Sequence, residues 1–176
     1  MSNSKRDLGF WLRAWLPVVF GVGVIALEST ILFSTQMTSG PLRALYQALF
    51  GPVGNLEWSH VHFYIRKSGH FLGYGLLALA WLRAWWMTLP RSVFMTDALL
   101  ALVGTAMTAG ADELHQTFLP GRTGTPWDVL IDCLGAITLQ LVVYVGMRIF
   151  RPKRLARLAE MRSVQPCEPA RQRTRA

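Results

Sequence analysis

Lys67, His70 and Tyr74 are spaced three and four residues apart, which puts an ammonium, an imidazole and a phenol on one face of a helix. Asp112, Glu113 and Gln116 form a second polar run, and Asp128 and Asp132, four apart, share a third face. An imidazole brought near Asp132 or Glu113 is equipped for general acid and base work, provided the groups sit in low-dielectric surroundings. Arg122, between Gly121 and Gly124 and just after Pro120, presents a guanidinium suited to a phosphate or carboxylate; it could equally cap a helix or pair with Asp128. The candidate catalytic residues are therefore His70, Glu113, Asp132 and Arg122. Glu28, Lys67, Tyr74, Asp112, Gln116 and Asp128 complete the expected pocket.

Other chemistries find less support. Ser68 beside Gly69 and His70 has no nucleophile context, and no Gly-rich phosphate loop precedes a helix. His70, Asp112, Glu113, His115 and Asp132 are metal-ligand types, but no dense H-E-x-x-H spacing occurs and one helical face cannot present all of Asp112, Glu113 and His115. No metal site is expected, and the pattern fixes no cofactor. His60 and His62, two apart, read as solvated or interfacial residues on a loop. A structural alternative for the whole set is a buried ion-pair network, such as Glu28 or Asp132 with Lys67 or Arg122, that fixes helix packing.

The elements that must carry these groups are apolar. The 176 residues are 52% hydrophobic with seven Trp, and the mean hydropathy of +0.30 is high for a soluble domain of this size. A span needs about 20 mostly apolar residues, and windows 15–33, 68–87, 92–110 and 127–150 qualify. The expected fold is an all-α membrane protein, a bundle of about four transmembrane helices. Segment 41–50 (PLRALYQALF) is too short to cross and reads as an interfacial or re-entrant helix between the first two spans. Gly51-Pro52, Pro90 and Pro120-Gly121 mark the turns. Glu28 then lies about 20 Å along the first span at 1.5 Å per residue, so all four spans deliver polar groups to one end. Because ionisable groups inside a membrane are costly, they are functional candidates by default. Gly69, Gly73 and Gly75 leave room for close approach by a helix or ligand.

The net charge of +8 is positional. Lys5, Arg6, Arg13, Arg83, Arg91 and the nine basic residues from Arg148 onward fall on one side, whereas only Arg43, Arg66, Lys67 and Arg122 fall on the other. The positive-inside rule puts both termini in the cytoplasm. Three parts are expected: a cytoplasmic segment 1–14, a transmembrane domain 15–150, and a basic cytoplasmic tail 151–176 too poor in large apolar residues to build a core, disordered beyond one helical stretch at 153–161. No cleavage site of the small-x-small kind follows the first apolar stretch, so it is read as a span rather than a signal peptide. Cys133 in a span and Cys167 in the tail imply no disulfide. Nucleic-acid binding is disfavoured, because the basic residues follow membrane topology.

The run Arg66-Lys67-Ser68-Gly69-His70-Phe71-x-x-Tyr74, followed by Asp112-Glu113-x-His115-Gln116-x-Phe118-x-Pro120-Gly121-Arg122 and by Asp128-Val129-x-x-Asp132-x-x-Gly135, strongly resembles the VanZ-like membrane protein family. Residues 28–36 fit the family's opening helix, and the resemblance covers about residues 15–148. Where many members carry Asn, this chain has Asp132. The resemblance implies a bacterial cytoplasmic (inner) membrane protein acting at the cell envelope; the founding member is associated with low-level resistance to the glycopeptide teicoplanin.

Three functions compete on these residues. In the first, an outward-facing polar pocket binds a cationic, phosphate-bearing or sugar-lipid group and lowers susceptibility to lipophilic glycopeptides. In the second, a membrane-embedded hydrolase or transferase acts on a lipid-linked envelope precursor, with His70 as acid or base and Arg122 as electrostatic stabiliser. In the third, an ion-coupled transporter uses Glu28 and Asp132 as carriers, which would call for an oligomer, since four helices are few. The expected partners are the lipid bilayer and either a lipid-linked precursor or a glycopeptide.

Overall fold

The computed structural model describes residues 7–30, 34–90, 92–119 and 124–164, with side chains up to residue 150. Among these residues the chain is all-helical, with five helices and no strand: α1 (Leu8–Glu28), α2 (Thr35–Phe50), α3 (Asn55–Thr88), α4 (Phe94–Thr117) and α5 (Pro126–Val164). The described residues up to 141 form one compact unit, and the remainder of α5 belongs to a second, described separately below.

Each boundary has a local cause. Asp7 caps α1 by accepting a hydrogen bond from the Phe10 amide at 2.8 Å. Gly51 ends α2 at φ +92°, a left-handed conformation that glycine adopts without penalty, and Pro52 follows. Ser92 donates to Asp97 Oδ2 at 2.8 Å across the first turn of α4.

Three helices are long and apolar enough to cross a membrane: α1, α4 and the Pro126–Phe150 part of α5. Their outward faces are apolar, with Leu16, Val19, Phe20, Leu99, Met107 and Ile137 exposed. Their inward faces are small, with Ala14, Ala101, Ala109 and Ala136 fully or almost fully buried. This is the arrangement of helices that pack through close backbone approach in an apolar solvent rather than by expelling water. α3 falls short on apolarity, because His70, Tyr74, Arg83 and its tryptophans dilute the leucines of window 68–87. It also begins 13 residues before that window, and at 34 residues it is about 50 Å long. His60 and His62 therefore stand on a helix, not on the expected loop; His62 is buried, stacked on Trp58 at 5.4 Å.

α3 is the hub, packing against α1, α2 and α4. It also meets α5 at a glycine crossing. A Cβ on Gly135 would collide with the Phe71 carbonyl oxygen, and one on Gly75 would come within 2.7 Å of Leu139 and 3.0 Å of the Gly135 carbonyl. α2 buries no residue, yet it is tied to α3: Trp58 donates to Ser39 at 2.8 Å, and Arg43 donates to Asn55 and to the Val53 carbonyl. In the second unit, α5 continues through residues 142–164, and Arg148 donates to the Tyr144 hydroxyl at 2.8 Å.

Candidate functional site

The glycine crossing sets α5 so close to α3 that polar side chains one turn away must meet. Asp132, one turn before Gly135, is fully buried, and its Oδ1 lies 3.4 Å from His70 Nδ1. One turn further out, Lys67 pairs with Asp128 and lies 5.5 Å above the Phe63 ring. Tyr74 follows His70 by four residues, and the rings stack at 6.0 Å with 25° between their planes.

α4 supplies the rest. The buried Tyr74 hydroxyl donates to Asp112 Oδ2 at 2.9 Å, and Gln116 Nε2 donates to the same oxygen at 3.0 Å. Glu113 Oε2 accepts from the Thr125 amide at 2.8 Å, which ties the approach to α5 back to the end of α4. A ring nitrogen of His70 and one carboxylate oxygen each of Asp112 and Glu113 lie within 4.8 Å of one another. His115 points elsewhere, its Nδ1 3.1 Å from the Ser29 hydroxyl.

The carboxyl groups are held unevenly. Asp112 and Glu113 each engage one oxygen, while Asp112 Oδ1, Glu113 Oε1 and both oxygens of Asp132 are buried without a hydrogen-bond partner. Such groups are rare in folded proteins, and each calls for an explanation. Outside the spans, burial and the nearby Arg66 cation push the His62 imidazole below its ordinary value.

Two hollows flank the cluster. A small polar cavity is lined by Glu28, Ser29, Gly69, His70, Gly73, Tyr74, Asp112 and Gln116. Gly69 and Gly73 have open space where a Cβ would sit, so they border this cavity rather than another helix. The second hollow is a cleft of about 310 Å³ between α1 and α4, lined mostly by Val22, Ile25, Ala26, Thr108 and Ala111, with Ser29, Asp112 and His115. That volume is at the lower end of small-molecule pockets. Asp112 borders both hollows.

His70, Tyr74, Asp112, Glu113, Gln116 and Asp132 are thus brought together, with the Lys67–Asp128 pair at the rim. Glu28 is exposed and lines the polar cavity. Arg122 lies outside the described residues. Sequence reasoning did not single out Ser29 or the Thr125 amide: a serine at a helix end and a loop amide carry no signal until their partners are placed.

No curated protein and no solved structure shows a significant match to this chain. The VanZ/LLP1 family model matches residues 14–150, which contain all three polar runs of the cluster and most of the chain. With helices suited to a membrane and this match across them, the chain belongs to the VanZ/LLP1 family.

Proposed function

We propose that this VanZ-like protein crosses the bacterial cytoplasmic membrane four times, the 68–87 part of α3 being the fourth span and α2 lying in the interface. Both termini are cytoplasmic and the polar cluster opens outward. There it binds the headgroup of a lipid-linked envelope precursor and lowers susceptibility to lipophilic glycopeptides such as teicoplanin. The observation that carries this reading is the meeting, at Asp112, of a polar cavity and a largely apolar cleft. A hydrocarbon tail suits the cleft, while the polar cavity, about 20 Å³, has room for about one water and would have to widen to admit a headgroup. A bilayer also requires buried ionisable groups to face the bundle interior, as they do here.

Cysteine accessibility tests the orientation. In a chain lacking Cys133 and Cys167, single cysteines at Thr123, Val93 and Ser163 are challenged in intact cells with an impermeant thiol reagent. Labelling at Thr123 alone is expected; labelling at Val93 and Ser163 instead would move the cluster's opening to the cytoplasm and end the surface role. Expression of the wild type is further expected to raise the teicoplanin concentration that inhibits growth, and Asp112→Asn to abolish that rise at equal membrane abundance.

A second reading is favoured by the contact of His70 with Asp132. A carboxylate-oriented imidazole stacked on a tyrosine is acid–base equipment for a membrane-embedded hydrolase or transferase on the same precursor. His70→Lys, which keeps a cation at the site, would then abolish turnover while part of the precursor affinity survives.

A further inference from the structure

We infer that His70, Asp112 and Glu113 bind a divalent metal ion, with Asp132 positioning His70. The inference does not depend on the envelope role proposed above.

Both acidic ligands are already oriented by neighbours, and the imidazole faces a buried carboxyl. Asp112 gives one oxygen to Tyr74 and Gln116 and leaves Oδ1 unengaged. Glu113 gives one oxygen to the Thr125 amide and leaves Oε1 unengaged. Asp132, fully buried, stands at ion-pair distance, 3.4 Å, from His70 Nδ1, with no hydrogen bond between them. Metal sites share this construction: a carboxylate fixes the imidazole, and hydrogen bonds to one oxygen of an acidic ligand aim the other. A hydrogen-bonded packing network would engage the oxygens left over here.

Charge leads to the same conclusion. Glu113 is 5% exposed, Asp112 9% and Asp132 0%. Among the described residues Lys67 is committed to Asp128, and His70 is the basic side chain at the three buried carboxyls. A buried charge without a counter-charge is strongly unfavourable, and a divalent ion would neutralise Asp112 and Glu113 together. The donor atoms lie within 4.8 Å of one another. Neighbouring ligand atoms of a tetrahedral ion with bonds of about 2.1 Å are about 3.4 Å apart, so the side chains must close by up to about 1.4 Å to complete the site. One imidazole with two carboxylates is a mixed nitrogen and oxygen set that suits Zn²⁺ or Mn²⁺.

The test uses the full, untagged chain in lipid nanodiscs. Elemental analysis after purification without chelator should find about one Zn or Mn per chain, and the chelator-stripped protein should take up ZnCl₂ or MnCl₂ at one site by calorimetry. Glu113→Gln and Asp112→Asn should each weaken that binding at least tenfold, and Asp132→Asn by about 10- to 100-fold, as for other residues that orient ligands. Asp97→Asn, which alters a buried acid on the same helix remote in sequence from the cluster, should leave it unchanged. Zinc X-ray absorption on the wild type should show imidazole and oxygen donors without sulfur, a readout that survives even if a variant fails to fold. Metal-free folded protein that binds neither ion would overturn the inference. So would full affinity in folded Glu113→Gln and Asp112→Asn, or a sulfur donor placing the ion on Cys133.

Discussion

Near residues 81–85 of α3, Trp15, Trp81 and Trp85 pack edge to face at 5.0 and 5.6 Å, and Arg83 donates to the Arg13 carbonyl at 2.6 Å. Two turns earlier the same helix meets three buried carboxyl groups. Both regions contain buried polar atoms without partners: the indole nitrogens of Trp15, Trp81 and Trp85 in one, carboxylate oxygens in the other. The costs differ in kind. An unpaired neutral N–H forfeits about 1–3 kcal/mol, whereas an ionised oxygen away from water needs a counter-charge. The aromatic region leaves neutral donors unpaired, while the acidic region leaves carboxyl oxygens that must be either neutral or matched by a counter-charge. A fold tolerates such a defect where function requires it.

The largest expected effect strikes the scaffold of the acidic region. Gly135→Ala puts a methyl group into the Phe71 carbonyl, and since the obstruction is backbone, no rotamer change relieves it. A loss of about 3 kcal/mol or more is expected, read as chemical unfolding in detergent. Gly104→Ala makes the comparable intrusion in the aromatic region, against the Trp81 ring at 2.9 Å, and should cost less because a side chain can shift. Equal losses would show that the two crossings are equally rigid and that the α3–α5 approach has no special role in placing His70 and Asp132.

A weaker pair of effects should run in opposite directions. Trp81→Ala removes a ring from the aromatic cluster and is expected to cost about 2–3 kcal/mol, below the usual core value because lipid replaces part of the lost contact. Its effect on teicoplanin susceptibility, per folded molecule, should be nil. Asp132→Asn should leave metal-free stability unchanged or slightly raised, because it discharges a fully buried group, while the susceptibility effect is lost. The contrast between the regions fails if both substitutions lower stability and function together.

Much of this architecture was legible from spacing. The intervals of three and four among Lys67, His70 and Tyr74 give one face, and in the structure His70 stacks on Tyr74 along it. The helical class followed from apolar windows alone. The reach of α3 was hidden, because Glu57, His60, His62, Arg66 and Lys67 lower hydropathy without opposing helix formation. Asp112 and Glu113 are adjacent in sequence and point about 100° apart on an ideal helix, so their joint burial depends on α3 and the Thr125 amide approaching α4 from different sides. Periodicity within one helix carries no information about that docking. Asp132 is a similar case: its distance from His70 follows from the absent side chain of Gly135, a consequence visible only once α3 and α5 are placed.

The smallest expected effect belongs to the α2–α3 corner, which is tied through Ser39, Arg43 and Asn55 and whose acid, Glu57, is exposed. His62 lies against Trp58 and 3.3 Å from the Thr38 hydroxyl, with Arg66 one turn on. Burial first, and Arg66 second, lower its affinity for a proton in the folded chain. The folded state therefore prefers neutral His62. The resulting stability is present above the ordinary histidine value and is lost as pH falls through the lowered one. Between about pH 7.5 and 5, the melting temperature of the wild type should fall further than that of His62→Gln, the comparison cancelling every other group that titrates in the range. Parallel melting curves would mean that charging His62 costs the fold nothing, and that this corner, unlike the acidic region, is indifferent to charge.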